Sequence, residues 1–192
     1  VYRAVVAQGN APIENLDDLL SQAFITHGLH EHGYVDDYRL IATSMLRYFL
    51  DSRAGAVIEA HTALRISFDD HVVEIKPDEV LVRDGVRTVR RVRTGHAPSS
   101  DDADVGAAAF LLACQAAFPG ARVELVYLAD AESKPLTITP KVLGNRQEKL
   151  GDIFRSIRAG QFKTDVSERT CPNCPAFFVC GAVPAGTLSK NF

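Results

Sequence analysis

The sequence contains no tryptophan, a single methionine and only four cysteines among its 192 residues. It has no apolar run of the roughly 20 residues that a membrane-spanning helix needs, and its first residues do not form the apolar core of a signal peptide. It also has no glycine-rich phosphate-binding loop, so ATP hydrolysis is not expected from these residues. These absences predict a cytoplasmic globular protein, and the start at Val1 without an initiator methionine suggests a segment of a longer chain.

Charge is unevenly distributed along a chain whose formal net charge is only −3. Residues 1–140 contain 13 Lys and Arg and 20 Asp and Glu, a net of −7, whereas residues 141–192 contain 8 and 4, a net of +4. Residues 83–95 form a second basic stretch, with five arginines and one aspartate. Such clusters can bind phosphate groups, although a solvated charged strand has the same composition.

The apolar periodicity predicts a mixed α/β fold. Helices are expected from Asn15 to Gly28 and at residues 36–53, 105–118 and 140–157. Strands are expected at residues 56–68, 71–82 with an interruption at Pro77, 86–93 after an Asp84-Gly85 turn, 123–128 and 136–139. The first three strands predict an antiparallel meander, which with a further strand forms a mixed central sheet flanked by helices. Residues 1–162 are assigned to this α/β domain and residues 163–192 to a cysteine-rich tail.

Three cysteines, Cys171, Cys174 and Cys180, lie within ten residues near the C-terminus. Thiolates with this spacing can surround one metal centre, and their odd number argues against a closed disulfide set. A four-thiolate site needs one more ligand. Cys114 lies in the most apolar predicted helix and is expected to be a small buried hydrophobe, so the fourth ligand is expected before Val1.

Three histidines, His27, His30 and His32, lie at the end of the first predicted helix and in the segment that follows it. Imidazoles are common metal ligands, but this spacing corresponds to no dedicated metal-binding motif. The histidines also lie in a predicted loop between helices. They are therefore expected to be solvated side chains.

Residues 153–180, IFRSIRAGQFKTDVSERTCPNCPAFFVC, resemble the end of the RecB-like and AddB-like nuclease domains of the PD-(D/E)xK superfamily. In those domains a helix ending in I-x-x-G-x-F precedes C-x2-C-x5-C, and the iron–sulfur members are fused to UvrD-type helicases. The resemblance implies a restriction-endonuclease-like fold. It also implies that Cys171, Cys174 and Cys180 hold a [4Fe–4S] cluster with a distant fourth ligand in the intact parent, whereas the three thiols of this segment can be empty or oxidised in an aerobic preparation.

Residues 57–95 resemble the nuclease meander of the same family, in which a G-x-I-D-R-like stretch precedes an I-D-Y-K-T-G-like strand. Asp78 stands where the first acid is expected, whereas Arg91 and Arg93 stand at the second acid and at the lysine. Such nucleases hold Mg²⁺ or Mn²⁺ with carboxylates on adjacent strands, and two permanent cations would repel the metal. The resemblance therefore implies a catalytically inactive domain that retains Asp78 as a remnant and lacks the Mg²⁺ or Mn²⁺ site.

Alternating parity places Arg87, Arg91 and Arg93 on one face of the predicted strand 86–93. These arginines are expected to contact DNA phosphates in the groove that active relatives use for the scissile strand. The residues leave open an alternative in which Arg91 and Arg93 form internal ion pairs. Its candidate partners are Asp78, Glu74 and Glu59.

The resemblance implies the C-terminal nuclease-like domain of an ATP-dependent UvrD/RecB-type DNA helicase in DNA repair or recombination. DNA and the motor domains of the parent chain are the expected partners. One alternative is an active metal-dependent DNA exonuclease that uses Asp78 with Glu74 or Glu59. Another is a zinc-stapled protein-interaction module that has no role on DNA.

Overall fold

The computed structural model describes residues 15–68, 71–100, 104–161, 166–167 and 171. The chain divides into two compact units, Val1–Gly151 and Asp152–Phe192. In the described residues, no helix combines the length and apolarity needed to cross a bilayer. The elements are, in chain order, α1 (Leu16–Thr26), α2 (Val35–Ser52), β1 (Val57–Ile58), β2 (Leu64–Phe68), β3 (His71–Ile75), β4 (Glu79–Arg83), β5 (Val86–Arg93), α3 (Val105–Ala117), β6 (Arg122–Tyr127), β7 (Glu132–Pro135) and α4 (Pro140–Arg158).

The strands form one mixed sheet and one separate hairpin. The five-stranded sheet has the order β1-β4-β5-β6-β7, and all its neighbouring strands are antiparallel except β5 and β6. Helix α3 connects these two parallel strands, because a parallel pair requires a crossover. Strands β2 and β3 pair with each other in a two-stranded antiparallel sheet. The predicted α/β class with a mixed sheet and flanking helices is confirmed.

The prediction of one strand over residues 56–68 is wrong, because the structure has two short strands there. Val57 and Ile58 pair with β4, whereas the pairing of β2 with β3 starts at Leu64. The second predicted strand is also divided: as expected, it is interrupted at Pro77, and it forms β3 and β4. Proline cannot donate a backbone hydrogen bond to a ladder, so each half of the split strand pairs with a separate partner. The antiparallel three-strand unit of the sheet is therefore β1, β4 and β5.

The helix predictions are confirmed to within one or two residues, and two N-terminal caps explain where helices begin. The Asn15 side chain accepts a hydrogen bond from the Asp18 N–H at 3.3 Å, and that of Asp104 accepts one from the Gly106 N–H at 2.7 Å. Short polar side chains at this position satisfy N–H groups that have no partner within the helix. The predicted edge strand at residues 136–139 is wrong, since β7 covers Glu132–Pro135 instead.

Strands β4 and β5 are joined by a two-residue turn at Asp84 and Gly85. Both residues have positive φ, 52° and 76°, as a type I′ turn requires. The turn pairs Arg83 with Val86 and therefore fixes the register of the whole hairpin, which places Glu79 opposite Arg90.

Two apolar cores occupy opposite faces of the sheet. Neighbouring residues of β6 belong to different cores, Leu125 to the first and Val126 to the second, because successive side chains of a strand point to opposite faces. Helix α3 and the β2–β3 hairpin contribute to the first core, and helices α1 and α2 contribute to the second. The central members of the first core are Val80, Val89, Phe110, Cys114 and Leu125.

Candidate functional site

The arginine-rich strand β5 places three guanidinium groups on the face that α3 covers. Val89 of this strand is fully buried in the first core, so Arg87, Arg91 and Arg93 share its side of the sheet. Each guanidinium lies near an aromatic ring at a distance typical of cation–π contacts. The distances to the ring centroids are 5.5 Å from Arg87 to Phe118, 5.8 Å from Arg91 to Phe110 and 5.8 Å from Arg93 to Tyr127.

Arg93 is bound to the residue that caps α3. Its Nη2 donates to Oδ2 of Asp104 at 2.8 Å, while Oδ1 of the same carboxylate accepts the Gly106 N–H. Burial alone would raise the pKa of Asp104, but the Arg93 guanidinium and the N–H groups of Gly106 and Ala107 together hold it below its usual value. Arg93 therefore fastens the end of β5 to the start of α3.

Arg87 forms a two-pronged ion pair with Glu59. Its Nε donates to Oε2 at 2.8 Å and its Nη2 to Oε1 at 3.1 Å. The hydrogen bonds from Arg87 lower the pKa of Glu59. Both side chains remain more than a third exposed to solvent, so this pair is accessible from outside the fold.

Arg91 differs from its two neighbours on the strand. Its side chain is half-buried beside the Phe110 ring, and within the described part of the chain no carboxylate forms an ion pair with it. The guanidinium lies beside the ring, and its charge is not neutralised by an acid of the described residues. This is the property expected of a cation that receives an anionic ligand.

Asp78 is bonded to the backbone of β5. Its Oδ2 accepts the Val92 N–H at 2.8 Å, and its own N–H donates to the Arg90 carbonyl at 3.0 Å. The carboxylate thus extends the β4–β5 ladder beyond the first residue of β4. An acid engaged in this way holds the two strands together through one of its two carboxylate oxygens.

Within the described residues, Arg91 and Arg93 form no ion pair with the three acids of the predicted alternative. Arg93 pairs with Asp104, and Arg91 has no acid among the three candidate partners. Glu59 pairs instead with Arg87, and Glu74 with Arg65 at 3.0 Å. No group of three or more His, Cys, Asp or Glu side chains within the described residues is arranged to hold a metal ion.

A second charged cluster lies on the opposite face of the sheet and was missed from the sequence. Glu79 accepts hydrogen bonds from Arg53 at 3.2 Å and from Arg90 at 3.1 Å, and all three side chains are buried. Arg90 also donates to Oγ of Ser52 at 2.6 Å. The cluster joins the end of α2 to strands β4 and β5, and its buried charges among the described residues are the two arginines and Glu79.

The loops that follow the parallel strands β5 and β6 are tied together by Asp130. This carboxylate accepts the Ala97 N–H at 2.6 Å and lies 2.6 Å from Nδ1 of His96. The Ala97 N–H, followed by the bond to His96, lowers the pKa of Asp130. The pair was also missed from the sequence, since 33 residues separate the Asp130 carboxylate from Ala97.

The cysteines are only partly within the described residues. Cys114 is buried in the first core, and burial raises the pKa of its thiol to about 12. Cys171 is buried and its N–H donates to the Ser167 carbonyl at 3.0 Å, whereas Cys174 and Cys180 lie outside the described residues. The side chain of Cys114 therefore has the environment expected of a small hydrophobe.

The three predicted loop histidines are exposed, as expected. Nδ1 of His32 accepts the Tyr34 N–H at 3.2 Å, and Nε2 of His30 lies 3.5 Å from a Glu31 carboxylate oxygen. Neither arrangement brings several metal ligands together.

The residues with the clearest capacity for ligand binding are therefore the arginines of β5, which present planar donors suited to phosphate. A scan of protein-family models gives no match to this chain, and a search of curated proteins gives none either.

Proposed function

We propose that this chain is the C-terminal nuclease-like domain of a cytoplasmic, ATP-dependent UvrD/RecB-type helicase in DNA repair or recombination, and that it binds DNA without cutting it. The observation that carries the proposal is the row of Arg87, Arg91 and Arg93 on one face of β5, with Arg91 lacking an acidic partner among the described residues. The succession of antiparallel strands, the crossover helix α3 and the parallel strand β6 agrees with the restriction-endonuclease-like fold of the resemblance.

Arg87 can exchange its carboxylate partner for a phosphate at small energetic expense. Exposed ion pairs contribute little to stability because solvent screens them, and the Arg87–Glu59 pair is exposed at both ends. A phosphate that binds Arg91 can therefore also be bound by Arg87, whose guanidinium then leaves the Glu59 carboxylate. The Arg93–Asp104 pair is less exposed on the arginine side, so Arg93 is expected to orient the site as well as to add charge.

Cutting is not part of the proposal, for a reason of ligand geometry. The carboxylate of Asp78 is bonded to the Val92 N–H, and Arg91 and Arg93 place positive charge at the positions that the resemblance assigns to an acid and a lysine. Repulsion between these cations and a divalent metal opposes binding there. DNA contact through phosphates needs none of these carboxylates.

The double variant Arg91→Ala/Arg93→Ala is expected to bind DNA more weakly because two phosphate contacts are lost. The slope of log K against log salt should decrease by roughly 0.9 per lost contact on duplex DNA and by about 0.7 on single strands. The measurement is a fluorescence titration of labelled single- and double-stranded DNA at several salt concentrations.

Arg65→Ala is the matched control, because Arg65 is an exposed, ion-paired arginine of β2 that lies off the α3-covered face of β5. A melting curve of each variant establishes that it is folded. Unchanged affinity and salt slope in the double variant, or an equal loss in Arg65→Ala, would contradict DNA binding by this face.

We also propose that Cys171, Cys174 and Cys180 bind a [4Fe–4S] cluster in the parent protein, which would act as a staple for the tail. Thiolates are the soft ligands that iron–sulfur clusters take, and the spacing suits one centre. Cys114 does not fit as the fourth ligand, because its thiol is buried in the apolar core and is held protonated by its raised pKa. The fourth thiolate would then come from another part of the parent.

Iron and acid-labile sulfide are expected in parent-length protein purified without oxygen, and both should be lost in Cys171→Ala. Cys114→Ala is the control and should keep both, because its thiol is not a ligand in this proposal. The measurement is metal and sulfide analysis with an absorption spectrum. Zinc without sulfide, or a loss of iron in Cys114→Ala, would refute the cluster assignment.

A further inference from the structure

The end of the helical hairpin formed by α1 and α2 exposes an unusual amount of apolar surface. Among the described residues, six of the twelve exposed large hydrophobic side chains lie between residues 25 and 41. Exposed apolar side chains that are concentrated in one part of a protein mark interaction sites more often than isolated exposed residues do. We call five of these side chains the hairpin patch: Ile25, Leu29, Tyr34, Tyr38 and Ile41.

The helical part of the hairpin patch continues a stripe that is buried further along α2. Tyr34, Tyr38 and Ile41 are spaced by four and three residues and therefore lie on one side of the helix. Phe49, two turns beyond Ile41, is fully buried in the second core. The apolar stripe thus extends past the core that covers its C-terminal half.

The His32 ring connects the loop to this stripe. Its centroid lies 5.8 Å from the Tyr34 ring and 5.1 Å from the Tyr38 ring, so three rings form one surface at the start of α2. Tyrosines have an apolar body with a polar tip and are enriched in protein interfaces. The patch has the composition of an interface centre.

The charges around the hairpin patch restrict which kind of partner can bind there. Residues 25–41, which contain the patch, include three acids and one arginine, a net of −2, and the three acids are exposed. The arginine, Arg39, is turned into the hairpin, where it donates to Ser21 at 2.7 Å and lies 5.5 Å from the Phe24 ring. Like charges oppose docking of nucleic acid or of a second copy, whereas a basic partner is attracted.

We propose that the hairpin patch binds a basic amphipathic α-helix of another protein segment. The apolar side chains of such a helix, at positions i, i+3 or i+4 and i+7, would pack on Tyr34, Tyr38 and Ile41. Its lysines and arginines would face the exposed acids near the patch, Glu31, Asp36 and Asp37. The inference does not depend on DNA binding, because the hairpin belongs to the sheet face opposite Arg91.

The test uses a labelled leucine–lysine peptide of about four helical turns and the intact chain, with fluorescence anisotropy as the readout. Ile41→Asp is expected to weaken binding by about tenfold or more, because it places a charge in the centre of the apolar contact. Leu40→Asp is the matched control. Leu40 is more exposed than Ile41, 72% against 51%, and it lies off the stripe on the same helix, so the same added charge should leave binding within about twofold.

A leucine–glutamate peptide of equal length should bind much more weakly than the leucine–lysine peptide. Equal affinity for the two peptides, equal effects of Ile41→Asp and Leu40→Asp, or no binding would overturn the proposal. Self-association that Ile41→Asp abolishes would assign the patch to a second copy and would also overturn it. Ile41→Asp should not change DNA affinity, so failure here is distinguishable from failure of the proposed function.

Discussion

Replacement of Glu79 by alanine is expected to lower the free energy of unfolding by about 3–5 kcal/mol. Among the described residues, Glu79 is the carboxylate that pairs with both Arg53 and Arg90, and all three side chains are buried. Its removal leaves two cations close together in a region shielded from water, where repulsion and desolvation are both large. Urea denaturation measures the change as a lower transition midpoint with an unchanged slope.

Glu74→Ala is the matched control, because Glu74 also pairs with an arginine across antiparallel strands. That pair is open to solvent, with side-chain exposures of 73% for Arg65 and 56% for Glu74. Its loss should change stability by no more than about 1 kcal/mol. If Glu79→Ala were no more harmful than Glu74→Ala, water would have to reach the Arg53–Glu79–Arg90 cluster, and its assigned role in joining α2 to the sheet would be incorrect.

Phe110→Ala is expected to destabilise the protein by about 3–5 kcal/mol, since it leaves a large cavity in the first core. The ring is fully buried and packs among residues of α3 and of the central sheet. It also lies beneath the Arg91 guanidinium, so its loss should make that side chain more mobile. Chemical denaturation gives the stability, and DNA titration of the variant, at a temperature where it is folded, reports on Arg91.

Phe118→Ala provides the comparison for this prediction. Phe118 lies beneath Arg87 at 5.5 Å, as Phe110 lies beneath Arg91, but it is only half-buried at the end of α3. The two variants therefore share the loss of a cation–π contact and differ in the apolar area removed from the core. Comparable losses of stability would mean that the arginine contacts, and not burial, dominate both positions.

The buried Glu79–Arg90 pair could have been derived from the sequence. The Asp84-Gly85 turn was predicted, and a two-residue turn pairs the residues on either side of it, Arg83 with Val86. Counting back four residues from Arg83 and forward four from Val86 gives Glu79 opposite Arg90, as observed. The contribution of Arg53 was not accessible in this way, because it depends on how the end of α2 packs against the sheet.

Parity correctly predicted that Arg87, Arg91 and Arg93 share one face of β5. Periodicity could not predict which elements cover that face. An alternating pattern shows which side chains share a face and not which face a helix will cover. The helix at residues 105–118 was predicted from its apolar periodicity. The bond between Asp104 and Arg93 follows only once α3 is known to cross over between β5 and β6, which brings the helix start next to the end of β5.

The single strand predicted over residues 56–68 failed for a reason that lies in another part of the chain. Its own alternation is regular, so the local sequence offers no break. The break is imposed by Pro77, which divides the opposite strand and so gives β1 and β2 different partners. Two segments are needed to form a ladder, so an interruption in one segment also interrupts the pairing of the other.

The bond between the Asp78 carboxylate and the Val92 N–H has a consequence for the history that the proposed function implies. If Asp78 is a former metal ligand, as the proposed function implies, its Oδ2 now also holds β4 to β5, so reversal of Arg91 and Arg93 to an acid and a lysine would have to rebuild a metal site around a carboxylate that already serves the strand ladder. The same reversal would leave Asp104 with a different partner at the start of α3. Loss of catalysis would then be difficult to reverse, because the fold would have come to depend on the residues that replaced the catalytic ones.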